Sequence, residues 1–221
     1  MENRKTSNPA KIRIDALLDA ESFVEIGGAV TARATDFNLQ EKCVPSDGVI
    51  TGYGTIEGSL VYVYSQDATV LNGSVGEMHA RKIAALYDMA MKMGAPVIGF
   101  VDCSGIRLQE ATDALHALGS MQYKKVMASG VIPQITAVFG NCGGGLAADA
   151  ALTDFVFMAQ TGKMFVNSPN TISGNSKDKC DSSNAEFQSE KNGFIDMVGT
   201  EGEVIEQIRA LVAVLPANNK D

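Results

Sequence analysis

The hydrophobic pattern changes period several times along the chain, and each change marks an element. Ile14, Leu17 and Leu18 fall at helical spacing near the start, followed by the apolar pair Phe23 and Val24. The segment SDGVITGYGTIEGSLVYVYSQD is β-rich and broken by glycines, which predicts a hairpin with TIEGS as its turn. In GSVGEMHARKIAALYDMAMKMG, residues Ile83, Leu86, Tyr87, Ala90 and Met91 recur at i, i+3, i+4, i+7 and i+8, one face of a helix that Gly94 stops. APVIGFVDC and VIPQITAVF show little polar alternation and predict buried strands, with a helix over DALHALGSMQYKKVMAS between them that ends near Gly130. The stretch GNCGGGLAADAALTDF then opens a third helix, and FVFMAQ and KMFVNS predict short strands. A capping box from Thr200 to Glu203 starts a last helix with Val204, Ile208, Leu211 and Leu215 on one face, and Pro216 ends it.

Strand, helix, strand, helix, strand through the centre argues for right-handed crossovers and parallel pairing, hence an α/β fold. Residues 173–193 are polar with almost no apolar anchor and predict a surface loop. Residues 1–11 read as a polar tail and 217–221 as a linker-like tail, which leaves 12–216 as a single domain. At 221 residues, 45% of them hydrophobic, the chain is long enough to bury a core. A net charge of −8 argues against broad nucleic-acid binding, although a local cluster of N–H groups could still hold an anion. No run approaches the roughly 18 apolar residues of a membrane span. The start MENRKTSNPAKIR lacks the apolar core of a signal peptide, so a cytoplasmic location with reduced thiols is the expectation. Four singly spaced cysteines and two histidines predict no metal site.

Candidate chemistry gathers at two strand-to-helix junctions. In the first, Gly143-x-Gly145-x-x-Ala148 loosely fits a dinucleotide-binding pattern, but the region 163–168, KMFVNS, offers no carboxylate for a ribose. Gly145 is followed by Leu146, so the Gly-Lys of a phosphate loop is missing too. Two readings remain: close helix packing on a sheet, and an oxyanion hole in which unshielded backbone N–H groups face a developing negative charge. The second junction is VDCSGIRLQEATDAL, where a strand runs into a Ser-Gly turn, and ligands of parallel sheets collect at such carboxyl ends. Arg107 and Glu110, three residues apart, read first as an ion pair worth a few tenths of a kcal/mol, about 0.2–0.5. Cys103 and Cys142 lack a histidine at a recognisable offset and read as small buried apolar residues, while His79 and His116 read as structural or solvent-facing.

Taken together, RIDALLDAESFVE, DGVITGYGTIEG, GSVGEMHARKI, DCSGIRLQEA, ASGVIPQITAVFGNCGGGLAADAALTDFVFM and KMFVNSP resemble the carboxyltransferase subunits of biotin-dependent acyl-CoA carboxylases, in order and spacing over residues 12–172. The resemblance implies a crotonase-like fold, a spiral of ββα units, and a chain matching the first of two tandem domains. It implies that Gly144 and Gly145 present backbone N–H groups to the thioester oxygen of an acyl-CoA as it becomes an enolate. Ser104, Gly105, Ile106, Arg107 and Gly143 would border that acyl-CoA. The implied reaction moves a carboxyl group between carboxybiotin, carried by a biotin carboxyl carrier protein, and the α-carbon of the acyl-CoA. The biotin-facing hole lies in the second domain, so a C-terminal carboxyltransferase domain on another chain and an oligomeric assembly are expected. Three departures stand out: the family's DSGGAR-type motif appears as Asp102-Cys103-Ser104-Gly105-Ile106-Arg107, Gln188 stands where a histidine is usual, and the zinc ribbon of the bacterial acetyl-CoA carboxylase beta subunit is missing. RLQEA is similar to malonate decarboxylase subunits, a homologous group, so a decarboxylating role or a silent CoA-binding scaffold are the alternatives.

Overall fold

The computed structural model describes residues 8–33, 46–168 and 181–221. Helix α1 (Pro9–Leu17) starts three residues before the expected domain start at residue 12, capped by the Asn8 side chain, which accepts from the Ala10 N–H. After the short strand β1 (Val24–Ile26) comes the hairpin of β2 (Val49–Ile56) and β3 (Ser59–Gln66). Its turn falls at Glu57–Gly58, as TIEGS predicts, with φ of 51° and 80°, the left-handed pair that suits the twist of a two-residue hairpin. The Asp19 carboxylate accepts from both turn amides, at 3.1 and 3.0 Å.

Helix α2 (Glu77–Met93) buries Ile83, Leu86, Tyr87 and Ala90 and ends where Gly94 adopts φ 66°. Then follow β4 (Val97–Cys103), α3 (Ala111–Ala128), β5 (Gln134–Gly143), α4 (Gly145–Ala150), β6 (Phe155–Ala159), β7 (Lys163–Phe165), β8 (Met197–Gly199) and α5 (Glu201–Val214). The last helix carries the predicted capping box on Thr200 and Glu203. Strand order in the sheet is β1-β2-β3-β4-β5-β6-β8, antiparallel up to β3 and parallel beyond it, with β7 pairing the end of β5.

Strand alternation divides the apolar side chains between two cores. Tyr62, Tyr64, Val97, Val101, Cys103, Val138 and Cys142 face α2, α3 and α4. Val61, Val63, Ile98, Phe100, Ile135, Ala137 and Phe139 face α1 and α5. Covered on both sides, the parallel strands have no solvated face, which is why the sequence lacks polar alternation there.

Two stretches read as loop or tail are tied down. Of the polar segment 173–193, residues 173–180 lie outside the described residues. In the remainder, Ser183 accepts from the Met164 N–H at 2.8 Å, Ser183 and Ala185 are buried, and Phe187–Lys191 form one π-helical turn. At the C-terminus, Asn218 donates to the Gly94 carbonyl and the Asn219 N–H to the Val131 carbonyl, both at 3.0 Å.

Candidate functional site

Strands β4 and β5 run side by side and end level, with Cys103 opposite Cys142. The chain therefore turns twice at the same edge, at 104–107 and at 143–145. A Cβ built on Gly105 would sit 3.7 Å from the Gly143 carbonyl oxygen, and one on Gly143 would sit 3.1 Å from the Ser104 carbonyl oxygen and 3.2 Å from the Phe165 ring. The sequence-predicted residues Ser104, Gly105, Gly143, Gly144 and Gly145 thus share one locality, with Ile106 half-buried beside them and Ser104 exposed. Gly105 adopts φ 125°, a conformation that excludes most side chains even though space is available.

Most backbone amides around the two turns are already paired. The Val75 N–H donates to the Gly105 carbonyl and the Arg107 N–H to the Val75 carbonyl, each at 2.9 Å. That parallel bridge turns the intervening Ile106 amide to the opposite side, away from residue 75. Ser104 donates to the Asn72 carbonyl at 3.2 Å, and Gly105 to the Cys103 sulfur at 3.3 Å. Gly144 donates to the Phe165 carbonyl at 2.9 Å. Among the described residues, the amides of Ile106, Gly145 and Leu146 have no hydrogen-bond acceptor.

This redistributes the expected roles. The Gly144 amide is occupied by an extension of the β5–β7 pairing, so it is not a vacant donor. Its φ of 63° and ψ of −129° are what turn the chain and leave the next amide, that of Gly145, unpaired at the start of α4. The glycine stretch itself is mostly strand: β5 continues through Gly143, and α4 begins only at Gly145.

Arg107 also differs from expectation. Its side chain is fully buried, with one nitrogen 2.5 Å from Asp47 and 2.7 Å from Glu110 and another donating to the Ser74 carbonyl at 2.9 Å. A guanidinium so engaged does not reach a ligand; it anchors the turn from behind. The pair with Glu110 that spacing alone rates as a surface contact is part of a buried triad, a different energetic class. Asp47 further accepts from the His79 N–H at 2.7 Å, and Glu110 from the Glu77 N–H at 2.5 Å. Glu110 thereby caps α2, whose N-cap residue Gly76 has no side chain to do so, and a Cβ on Gly76 would fall 2.2 Å from the Arg107 guanidinium.

The remaining titratable groups near the turns are held out of chemistry. Burial pushes the Cys103 thiol up to about 12 and the Cys142 thiol higher still, so neither is a thiolate at neutral pH. Cys43 and Cys180 lie outside the described residues. Burial, with the Arg107 charge next, pushes His79 down to about 3. Its Nδ1 lies 2.9 Å from the Asp47 carbonyl and its Nε2 lies 3.1 Å from the Gln66 amide nitrogen, a network that assigns the neutral Nδ1–H tautomer. His116 is exposed.

Sequence reasoning missed a second buried ion pair under the same edge. Lys125 on α3 lies 2.6 Å from Asp149 on α4, and both side chains are buried. One signal was available: Ala114, Leu118, Met121, Lys125 and Ala128 are the spacing of a single buried helix face, and Lys125 occupies a core position in it. Among the described residues, no group of three or more His, Cys, Asp or Glu could hold a metal ion, and no helix is long and apolar enough to cross a membrane.

Two adjoining turns at the carboxyl ends of parallel strands, carrying the unpaired amides of Ile106 and of Gly145 and Leu146, form the candidate site of a crotonase-like fold. The carboxyl transferase domain model matches residues 1–221, and the chain belongs to that family. It is 43% identical over 217 residues to the propionyl-CoA carboxylase beta chain of Roseobacter denitrificans, covering 96% of this chain and 42% of that one. It is 41% identical to the methylmalonyl-CoA decarboxylase subunit alpha of Propionigenium modestum, with the same coverage. Among solved structures, transcarboxylase 12S, a hexameric assembly with hydrolysed methylmalonyl-coenzyme A bound, superposes with a TM-score of 0.91 at 36% identity, over 96% of this chain and 43% of that one. The chain therefore spans about two fifths of the length of these relatives.

Proposed function

We propose that this chain is the acyl-CoA-binding half of a biotin-dependent carboxyltransferase. The observation that carries the reading is the pair of unpaired amides, Ile106 from one turn and Gly145 from the other, at touching strand ends. The thioester oxygen of an acyl-CoA accepts from them. The acceptor of the α-proton is biotin that has released its carboxyl group as carbon dioxide. The charge that then develops on the thioester oxygen is met by donors already in place, and the enolate carbon is the nucleophile toward that carbon dioxide. Loss of one such donor typically costs about 3–4 kcal/mol of transition-state stabilisation. Ser104, Gly105 and Gly143 contribute shape: their lack of bulk lets the thioester approach the backbone. Arg107 supports the first turn without touching substrate.

Biotin, on its carrier protein, supplies or receives the carboxyl group. The amides described here form one set, used by the thioester. By the family resemblance, the amides that face biotin belong to the second domain, so no residue of this chain is assigned to it. On this reading the chain works in the cytoplasm, in an oligomer, together with a C-terminal carboxyltransferase domain, and is incompetent without that domain. A second reading, decarboxylation of a carboxylated acyl-CoA, is supported by the similarity to a methylmalonyl-CoA decarboxylase subunit at nearly equal identity. The same enolate forms in both directions.

The test is reconstitution of the chain with its second-domain partner and biotinylated carrier, then assay of carboxylation of short acyl-CoAs and decarboxylation of their carboxylated forms. Activity in the assembly and none in the chain alone is the expected result. A correctly assembled complex with neither activity would contradict it.

A further inference from the structure

Helix α4 carries the vacant Gly145 amide but spans only Gly145–Ala150, and its sequence GLAADA gives it little to grip with. Its hold on the rest of the molecule comes largely from α3. Gln122 donates to the Gly145 carbonyl at 3.2 Å, and Lys125 donates to the Asp149 carboxylate at 2.6 Å. Gln122 and Lys125 are three apart on α3, and Gly145 and Asp149 are four apart on α4, so the two contacts lie about one turn apart on each helix.

The lower contact is built with care. Lys125 also donates to the Tyr64 hydroxyl at 3.1 Å and lies over the rings of Tyr64 and Tyr87, at 5.6 and 5.9 Å from their centroids. Tyr64 reaches it only because residue 99 is glycine: a Cβ there would fall 2.2 Å from the tyrosine hydroxyl. The Lys125 carbonyl accepts from the Gln134 side chain at 3.1 Å. Four elements (β3, α2, α3 and α4) therefore converge on one ammonium group, while β5 holds the backbone of the same lysine.

Stability alone does not account for this arrangement. A buried ion pair is on average no better than well-packed apolar residues of similar volume. Here the second Asp149 oxygen, Oδ1, is buried without a partner, which adds a desolvation cost. What the pair provides that apolar packing does not is a directional tie of fixed length, set one turn below a backbone amide whose aim matters.

We infer that Gln122, Lys125 and Asp149 form a two-point clamp from α3 onto α4, acting as positioning residues that fix the rotation and height of α4 so that the Gly145 amide meets the thioester oxygen. The inference rests on the oxyanion reading above and adds three residues to it. None of the three touches substrate.

The test uses the assembled carboxyltransferase and compares Gln122→Met with the volume-matched double variant Lys125→Met/Asp149→Leu, measuring thermal midpoint, kcat and KM for acyl-CoA. The double variant is expected to melt no earlier than the parent, because no charge is left buried. In both variants kcat is expected to fall about ten- to a hundredfold while KM stays put, the signature of a small misplacement at the reacting centre. Parental kcat in the folded double variant overturns the clamp; should that variant fail to fold, parental kcat in Gln122→Met overturns it instead. Gly145→Pro, assayed in parallel, separates the two claims. If it is inactive while the clamp variants are parental, only the clamp fails; if it is fully active, the oxyanion reading itself fails.

Discussion

The two turns at the candidate edge occupy equivalent places, at the ends of neighbouring parallel strands, yet they are held by opposite means. The 104–107 turn is anchored by its own side chain: Arg107 plunges inward to Asp47, Glu110 and Ser74, drawing residues far apart in sequence around one guanidinium. The 143–145 turn has no side chains, so others hold it through its backbone: Phe165 by a carbonyl, Gln122 by an amide, and Lys125 through Asp149 one turn below. The contrast teaches that a backbone amide can be freed for chemistry in two ways. Either a strong internal anchor fixes the loop from behind, or the loop is stripped bare and its neighbours fix it from outside. In both, the group left without an acceptor among the described residues is a backbone N–H.

The sharpest way to break the comparison is to remove the anchor of the first turn. Arg107→Met leaves Asp47 and Glu110 buried without their cation, and the expected loss is about 3–5 kcal/mol in denaturant unfolding. A loss below about 1 kcal/mol, the worth of a single ordinary hydrogen bond, would mean that the backbone bonds to residues 72 and 75 suffice.

A smaller effect is expected at Gly105. Alanine meets no closer atom than the Gly143 carbonyl at 3.7 Å, but φ 125° strains any side chain, so Gly105→Ala should cost about 1–3 kcal/mol, read from the same unfolding curves. An unchanged midpoint would show that the first turn relaxes freely and is not held from behind.

Acid should separate the turns more gently. His79 is part of the first turn's support, and its folded-state pKa is pushed down to about 3 from the ordinary value of 6.5. Below about pH 6.5 the unfolded chain takes up a proton that the folded chain refuses until about pH 3, so stability is lost across that window as pH falls. The slope is up to about 1.4 kcal/mol per pH unit for one proton. His79→Asn should flatten that slope; an equal slope in parent and variant would assign the acid sensitivity elsewhere.

Much of the scaffold was legible in the sequence because its periods are clean. The TIEGS turn, the α2 stripe ending at Gly94, and the Thr200–Glu203 cap lie where local pattern puts them. The site was legible as a place but not as a division of labour. Glycine carries no pattern, so nothing in GNCGGG showed that β5 runs on to Gly143 or that the Gly144 amide is occupied by Phe165, about twenty residues further on. Arg107 looked available because its partners Asp47 and Ser74 are 60 and 33 positions away, beyond any local rule. Lys125 was the one hidden residue with a local trace, a cation on an otherwise apolar helix face.

The central claim is that the Gly145 amide, and not a side chain, does the work at this edge. Gly145 is the first residue of α4 and its φ is not positive, a position where proline is well tolerated. A Cβ there meets only a Leu118 methyl, at 3.0 Å, which can move. Gly145→Ala therefore adds the Cβ and keeps the N–H, whereas Gly145→Pro adds the pyrrolidine ring and replaces the N–H by an N–Cδ bond. In the assembled enzyme, alanine is predicted to retain the parental kcat and proline to lower it by about 10²–10³ at similar KM for acyl-CoA. Equal kcat in the two variants would contradict the account.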